Sequence, residues 1–230
     1  MPSRLALPRR ARGFTLVELL VAIAVMALLA IVSWRGLDGM VRSQEQTRER
    51  ADEVLVLQTV LAQWAADLDA LQPIDRTEPI AWDGQVLRLT RRSARPPDEG
   101  AVVVAWTRRN VDGTGHWIRW QSPPLRTRAE WQQAWQRAAA WARTPGEVER
   151  RQETVLMPLL DWQVYFHRGG AWTNAQSSGA GAPQTAGGLT SAAASVPEGV
   201  RVQLTLAPGA ALSGVITRDW VNPVLGGGKS

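Results

Sequence analysis

Glu18 is the only charge in the 21 residues from Phe14 to Trp34, a run otherwise suited to hydrocarbon. A carboxylate inside such a segment costs roughly 2.5–3.5 kcal/mol on insertion scales, so it needs a purpose and a partner. A proton relay would require further polar groups in the span, and Thr15 and Ser33 are poor candidates. Other constellations carry less chemistry. His116 and His167 are the only histidines. Each sits in a strand-like stretch, where packing or surface exposure accounts for it better than catalysis. No serine occupies a G-x-S-x-G elbow. In "NVDGTG", Asn110 and Asp112 precede a glycine without the acids and distal Glu of a calcium loop, so a turn is the better reading. The tail "GGGKS" mimics the end of a phosphate loop, but Pro223 stands where the first glycine belongs. With no cysteine there are no disulfides or thiolate metal sites. No cofactor is expected.

The apolar run must be positioned by a helix, and at ~1.5 Å per residue 21 residues reach about 31 Å, enough to cross a bilayer core. Arg4, Arg9, Arg10 and Arg12 precede it, and mixed charges follow at Arg35, Asp38, Arg42 and Glu45. The positive-inside rule places the leader in the cytoplasm and the bulk of the chain across the membrane. The leader also carries most of the basic balance. Without it the net charge falls from +5 to about +1, so there is no sign of a nucleic-acid face. The twelve tryptophans point the same way: basic residues do not cluster with them, and packing explains them better than stacking on bases. A secretory signal peptide is the competing reading, with small residues at Ala22, Ala24, Ala27 and Ala30. It leaves Glu18 and the abrupt Gly13–Phe14 junction unexplained.

"RGFTLVELLVAIAVMALLA" resembles the processing and assembly segment of type IV prepilins and type II secretion pseudopilins. The resemblance implies that a prepilin peptidase cuts between Gly13 and Phe14 and methylates the new Phe14 amine. Glu18 then becomes the fifth residue of the mature chain. Cleavage would leave a positive amine at the membrane edge, with Glu18 about one helical turn deeper. Carboxylate and ammonium attract strongly in a low dielectric. A pair between Phe14 of one subunit and Glu18 of the next would set subunit register in a filament.

Beyond the membrane the helix is expected to continue past soft points at Gly36 and Gly39 until Pro73. Ala51, Val54, Leu55, Leu61, Ala62, Ala65, Leu68 and Leu71 recur at spacings that fit one buried face. Strand signals follow in "AWDGQVLRLT", "AVVVAWTRR", "HWIRWQS", "PLLDWQVYFHRGGAW", "GVRVQLTL" and "LSGVITRDWV". "RAEWQQAWQRAAAWAR" reads as a helix within 127–143, with Trp131, Trp135, Ala138 and Ala142 on one stripe. Residues 173–197 carry no charge and read as a flexible loop. The expected fold class is α+β: a long N-terminal helix, transmembrane then amphipathic, packed on a pilin-like antiparallel β-sheet head. The expected organisation is a cleaved leader (1–13), a membrane helix (14–34), its periplasmic continuation (35–72) and a β-rich head (73–225).

Several stretches are similar to the J-type minor pseudopilins: "WRGLDGMVR", "LQTVLAQWAADLDAL", "LLDWQVYFHRGGAW" and "VPEGVRVQLTL" before "ITRDW". That resemblance implies a non-enzymatic minor subunit of the bacterial inner membrane, single-pass, with a periplasmic head. It implies a tip complex with I-type and K-type minor pseudopilins that primes the pseudopilus for export of folded proteins. The major and other pseudopilins and the prepilin peptidase would be further partners. A minor pilin of a type IV pilus, serving motility, adhesion or DNA uptake, is the alternative; an anchored periplasmic enzyme is a third class and predicts no processing at Gly13. The many tryptophans of the head are expected to offer contact area to partners, although for Trp131, Trp135 and Trp141 packing on the protein's own sheet is the favoured reading.

Overall fold

No proline interrupts the chain between Pro8 and Pro73, and the residues between are mostly strong helix formers. A single helix results, α1 (Leu16–Asp69). The computed structural model describes residues 13–93, 100–176, 196–209 and 212–224. Expectations for the leader up to residue 12, most of the neutral loop (177–195) and the tail from 225 fall outside the described residues. The chain divides into two compact units, Met1–Glu49 and Arg50–Ser230.

In the first unit every described residue is exposed. Its helix is long and apolar enough to cross a membrane, and the helical assignment runs through Gly36 and Gly39 without a break.

In the second unit α1 contributes Leu57, Val60, Trp64, Asp67 and Leu68 to the interior. The buried stripe is therefore narrower than the spacing suggested. Ala51 and Ala62 are exposed and Leu55 keeps 58% of its surface. Only the last three turns face the sheet, and they do so through Trp64, which the aliphatic pattern passed over.

The head is α+β with antiparallel sheets, its strands divided between two sheets. Sheet A is a meander of β1 (Ile80–Trp82), β2 (Val86–Arg92), β3 (Ala101–Val111), β4 (Thr114–Gln121) and β5 (Glu153–Pro158). Between β4 and β5 lie α2 (Arg128–Arg143) and the single turn α3 (Glu147–Arg150). Sheet B is ordered β7-β6-β8-β9, from β6 (Asp161–Arg168), β7 (Ala171–Asn174), β8 (Gly199–Leu206) and β9 (Gly214–Val221). "NVDGTG" is the β3–β4 turn. Val111 pairs with Thr114 across Asp112 (φ 50°) and Gly113 (φ 83°), the left-handed pair of a type I′ hairpin. Thr173 and Asn174, read as the start of the loop, complete β7.

Alternation along β2, β3 and β4 divides the interior into two cores. Leu87, Leu89, Val102, Val104, Trp106 and Trp117 pack with α1 and one face of sheet B. Val86, Val103, Ala105, Ile118 and Trp120 pack under α2 through Trp131, Ala134, Ala138 and Trp141. The helix α2 begins on a capping box in which Thr127 Oγ1 accepts from Glu130 N–H and Glu130 returns the bond. The tryptophans are thus mostly internal. Trp64, Trp106, Trp117, Trp120 and Trp141 are fully buried, and Trp135 stacks on Trp131 at 5.1 Å. Trp131, Trp135 and Trp141 pack on the protein's own sheet, the favoured reading, and the wider expectation of a tryptophan surface for partners is corrected: the two-layer core consumes most of their area.

Trp64→Ala should therefore destabilise the head by about 3–5 kcal/mol, whereas Leu55→Ala should change it by less than about 0.5 kcal/mol. Urea denaturation of the detergent-extracted protein, followed by tryptophan fluorescence, measures both.

Candidate assembly site

The N-terminal end of α1 is built from the stretch Gly13–Phe14–Thr15–Leu16–Val17–Glu18. Thr15 stands immediately before the helix and Glu18 closes its first turn. Thr15 Oγ1 accepts from Glu18 N–H at 3.3 Å, and Glu18 Oε2 accepts from Thr15 N–H at 3.5 Å. The threonine hydroxyl lies at 3.5 Å from the same carboxylate oxygen. This is the reciprocal pattern of a capping box, satisfying two backbone donors that would otherwise be bare at a helix start. The carboxylate also sits where the helix macrodipole favours negative charge. The distances are long, so the cap is weak. Gly13 and Phe14 precede it in the open: a Cβ built on Gly13 meets nothing within 4 Å, and Phe14 is 83% exposed. Sequence reasoning named Gly13, Phe14 and Glu18 and passed over Thr15, which the T-x-x-E spacing could have revealed.

A second acidic group in α1 was missed altogether. Asp67 is fully buried. Arg119 on β4 grips it through Nε–Oδ2 at 2.7 Å and Nη2–Oδ1 at 2.8 Å. Trp106 Nε1 donates at 3.0 Å and Gln63 Nε2 at 3.1 Å. Arg91 Nε lies 3.2 Å away as an ion pair. Burial pushes the Arg91 guanidinium down from its usual range, opposed by the Asp67 charge and reinforced by Arg119. Gln121 Oε1 accepts from both arginines and holds them apart. This cluster fastens the helix to the sheet. Its signal was an acid three residues after Trp64, on the apolar stripe.

The histidines lie on different sheets. His116 Nδ1 is 3.0 Å from Thr114 O on β4, and His167 Nδ1 is 2.7 Å from Glu198 beside β6. Among the described residues no three metal-ligating side chains converge.

Residues 8–34 match the model of the prokaryotic N-terminal methylation motif, a span that includes Gly13, Phe14 and Glu18. Over 65 residues the chain is 37% identical to type II secretion system protein J of Klebsiella pneumoniae. That match covers 28% of this chain and 33% of the relative. A longer match, 28% identical over 177 residues, joins it to type II secretion system protein J of Vibrio cholerae. It covers 70% of this chain and 72% of that protein. The methylation motif and these two relatives together support a J-type pseudopilin. Pseudopilins are structural components of secretion, and the apolar N-terminal part of α1 fits a membrane anchor. The match to the Vibrio protein extends well beyond α1 into the β-rich head, where the Asp67 cluster resides.

Removing one side of that cluster should be worse than removing both. Asp67→Ala strands buried arginines and should cost this pseudopilin about 3–5 kcal/mol. Asp67→Leu combined with Arg119→Met should recover part of the loss. Thermal unfolding of the three proteins, compared with the parent, checks the order.

Proposed function

We propose that this pseudopilin is a minor subunit of the type II secretion pseudopilus that sits in its tip complex and primes assembly of the shaft. In this reading a prepilin peptidase cleaves between Gly13 and Phe14 and methylates the Phe14 amine. The membrane helix spans 14–34 in the bacterial inner membrane, with the leader cytoplasmic. The helix continues through 35–72, and the head, 73–225, is periplasmic. I-type and K-type minor pseudopilins are the immediate partners, and the major subunit follows below them.

One observation carries the proposal: among the described residues, Glu18 is held only by the weak Thr15 cap of its own helix. A stable buried carboxylate has partners as Asp67 has; Glu18 has instead a local, exchangeable one. Cleavage after Gly13 puts an ammonium on Phe14, and a neighbouring subunit's ammonium can displace the Thr15 contacts at little cost. An ammonium brings a full opposite charge that the Thr15 N–H and hydroxyl lack, and in hydrocarbon that attraction grows. Pairing between subunits then fixes axial register while the exposed apolar residues of α1 cover one another. The type IV pilus alternative is weaker, since both relatives are named for type II secretion.

Mass spectrometry of the membrane-extracted protein should find a mature N-terminus at Phe14 bearing one methyl group. Gly13→Leu should retain the leader. An N-terminus after Ala24 or Ala30 would indicate signal peptidase processing and defeat the reading.

Glu18→Val tests the pairing itself. It should leave insertion and cleavage intact, because it removes a cost of roughly 2.5–3.5 kcal/mol in the bilayer, and it should reduce recovery in the pseudopilus by about tenfold or more. Normal secretion and complex formation by that variant would show that Glu18 does not pair between subunits.

A further inference from the structure

Three of the four sheet edges are blunt. β1 has three residues and β7 four. β5 carries a bulge where its register shifts at Leu156, and it ends on Pro158. β9 differs. Its eight residues pair with β8 in unbroken register, from Gly199↔Val221 to Leu206↔Gly214. It contains no proline and no lysine, and all of it is exposed except Trp220 and the half-buried Ile216. Proteins usually protect long regular edges, because a row of unpaired backbone groups templates another strand.

The bonds of sheet B fix which groups of β9 are available. Ala175 N–H donates to Val164 O on the β7 side, and Leu160 N–H donates to Thr205 O on the β6 side. Val164 thus turns away from β8, and its neighbour Tyr165 turns toward Arg201. The odd residues of β8 face β6 and the even ones face β9. Asn222 N–H on Glu198 O agrees with that phase. Arg218 and Trp220 are therefore bonded inward to Val202 and Val200. Val215, Thr217, Asp219 and Val221 aim N–H and C=O outward. No strand lies on that side among the described residues.

Side chains give this edge a chemical preference. Val215 and Val221 are 65% and 69% exposed. Asp219 is neutralised by a two-pronged pair with Arg201, both bonds 2.7 Å, and that contact holds its carboxyl below the usual range. Arg218 is exposed on the opposite face. The edge is thus apolar with one net positive charge.

We propose that β9 is a docking edge that receives a strand from the head of a neighbouring pseudopilin. The incoming strand carries β-branched residues opposite Val215 and Val221 and a carboxylate opposite Arg218. Main-chain bonds supply the affinity and the charge sets partner and register, as in other strand additions. The proposal rests on the assembly reading above.

Its test uses the full-length processed chain in detergent, mixed with I-type and K-type subunits, with hydrogen exchange read on the β9 peptide and mass read by light scattering. The amides of Val215, Thr217, Asp219 and Val221 should exchange fast alone and become protected in the complex. Thr217→Pro removes one outward donor and no bond to β8, and Arg218→Glu reverses the charge without touching the strand. Each should raise the dissociation constant roughly tenfold or more, with the melting temperature of the Arg218→Glu protein unchanged. A complex that forms while β9 exchanges as fast as before, and that tolerates Arg218→Glu, overturns the docking edge and leaves the assembly reading standing. Absence of any complex overturns both. A homodimer of the chain alone that Thr217→Pro disrupts would assign the edge to a second copy and overturn the proposed partner.

Discussion

A carboxylate taken fully out of water needs the groups around it to replace its hydration, and Asp67 meets that need with four hydrogen bonds and an ion pair from three strands and its own helix. Trp106 and Arg119 are opposite one another in the β3–β4 register, so one rung of sheet A supplies two contacts to one carboxylate. Arg91 arrives from β2 and Gln121 bridges the arginines. The apolar contacts of Leu57, Val60, Trp64 and Leu68 are non-directional and could slide. The bidentate guanidinium cannot, so it converts a greasy stripe into a defined docking angle.

The same chemistry recurs on the other face. Arg109 grips Glu153 at 2.7 and 2.8 Å, and Trp141 Nε1 donates to the same carboxylate at 2.6 Å. Each of the two longer helices, α1 and α2, is thus tied to sheet A by an arginine, a carboxylate and an indole. A third indole, Trp220, reaches Asp69 at 2.7 Å and ties β9 of sheet B to the end of α1. Tryptophan suits this use because one side chain provides a large apolar area and a single aimed donor. A domain without cysteines gains its fixed geometry from such contacts.

Much of this was legible in the sequence. The apolar run, the Glu18 spacing, the fold class and the β3–β4 turn follow from periodicity and from glycine's tolerance of positive φ. The partition into two sheets did not, because strand order depends on which face each strand buries. Short apolar runs such as "PLLDWQVYFHRGGAW" also conceal where one strand ends and the next begins. Asp67 escaped notice because a charge in an amphipathic helix is read as solvent-facing unless its phase is counted. Counted from Trp64, it lies three residues along the buried stripe. Glu18 was conspicuous only because no other charge surrounds it. For the tryptophans, composition gave their number and not their direction; alternation along β3 and β4 sends them inward.

The separation of 52 residues between Asp67 and Arg119 also orders events in time. A chain emerging from its N-terminus presents α1 long before it presents β4. Until Arg119 arrives, Asp67 has only the single ion pair that Arg91 on β2 can offer, and burying the acid without the two-pronged contact would leave much of its desolvation uncompensated. Sheet A pairs strands in chain order, with α2 and α3 inserted between β4 and β5, whereas in sheet B β8 must return past β7 to pair with the far side of β6. The buried acid therefore makes the complete seat of the helix depend on the fourth strand, because two of its hydrogen bonds come from Arg119 alone.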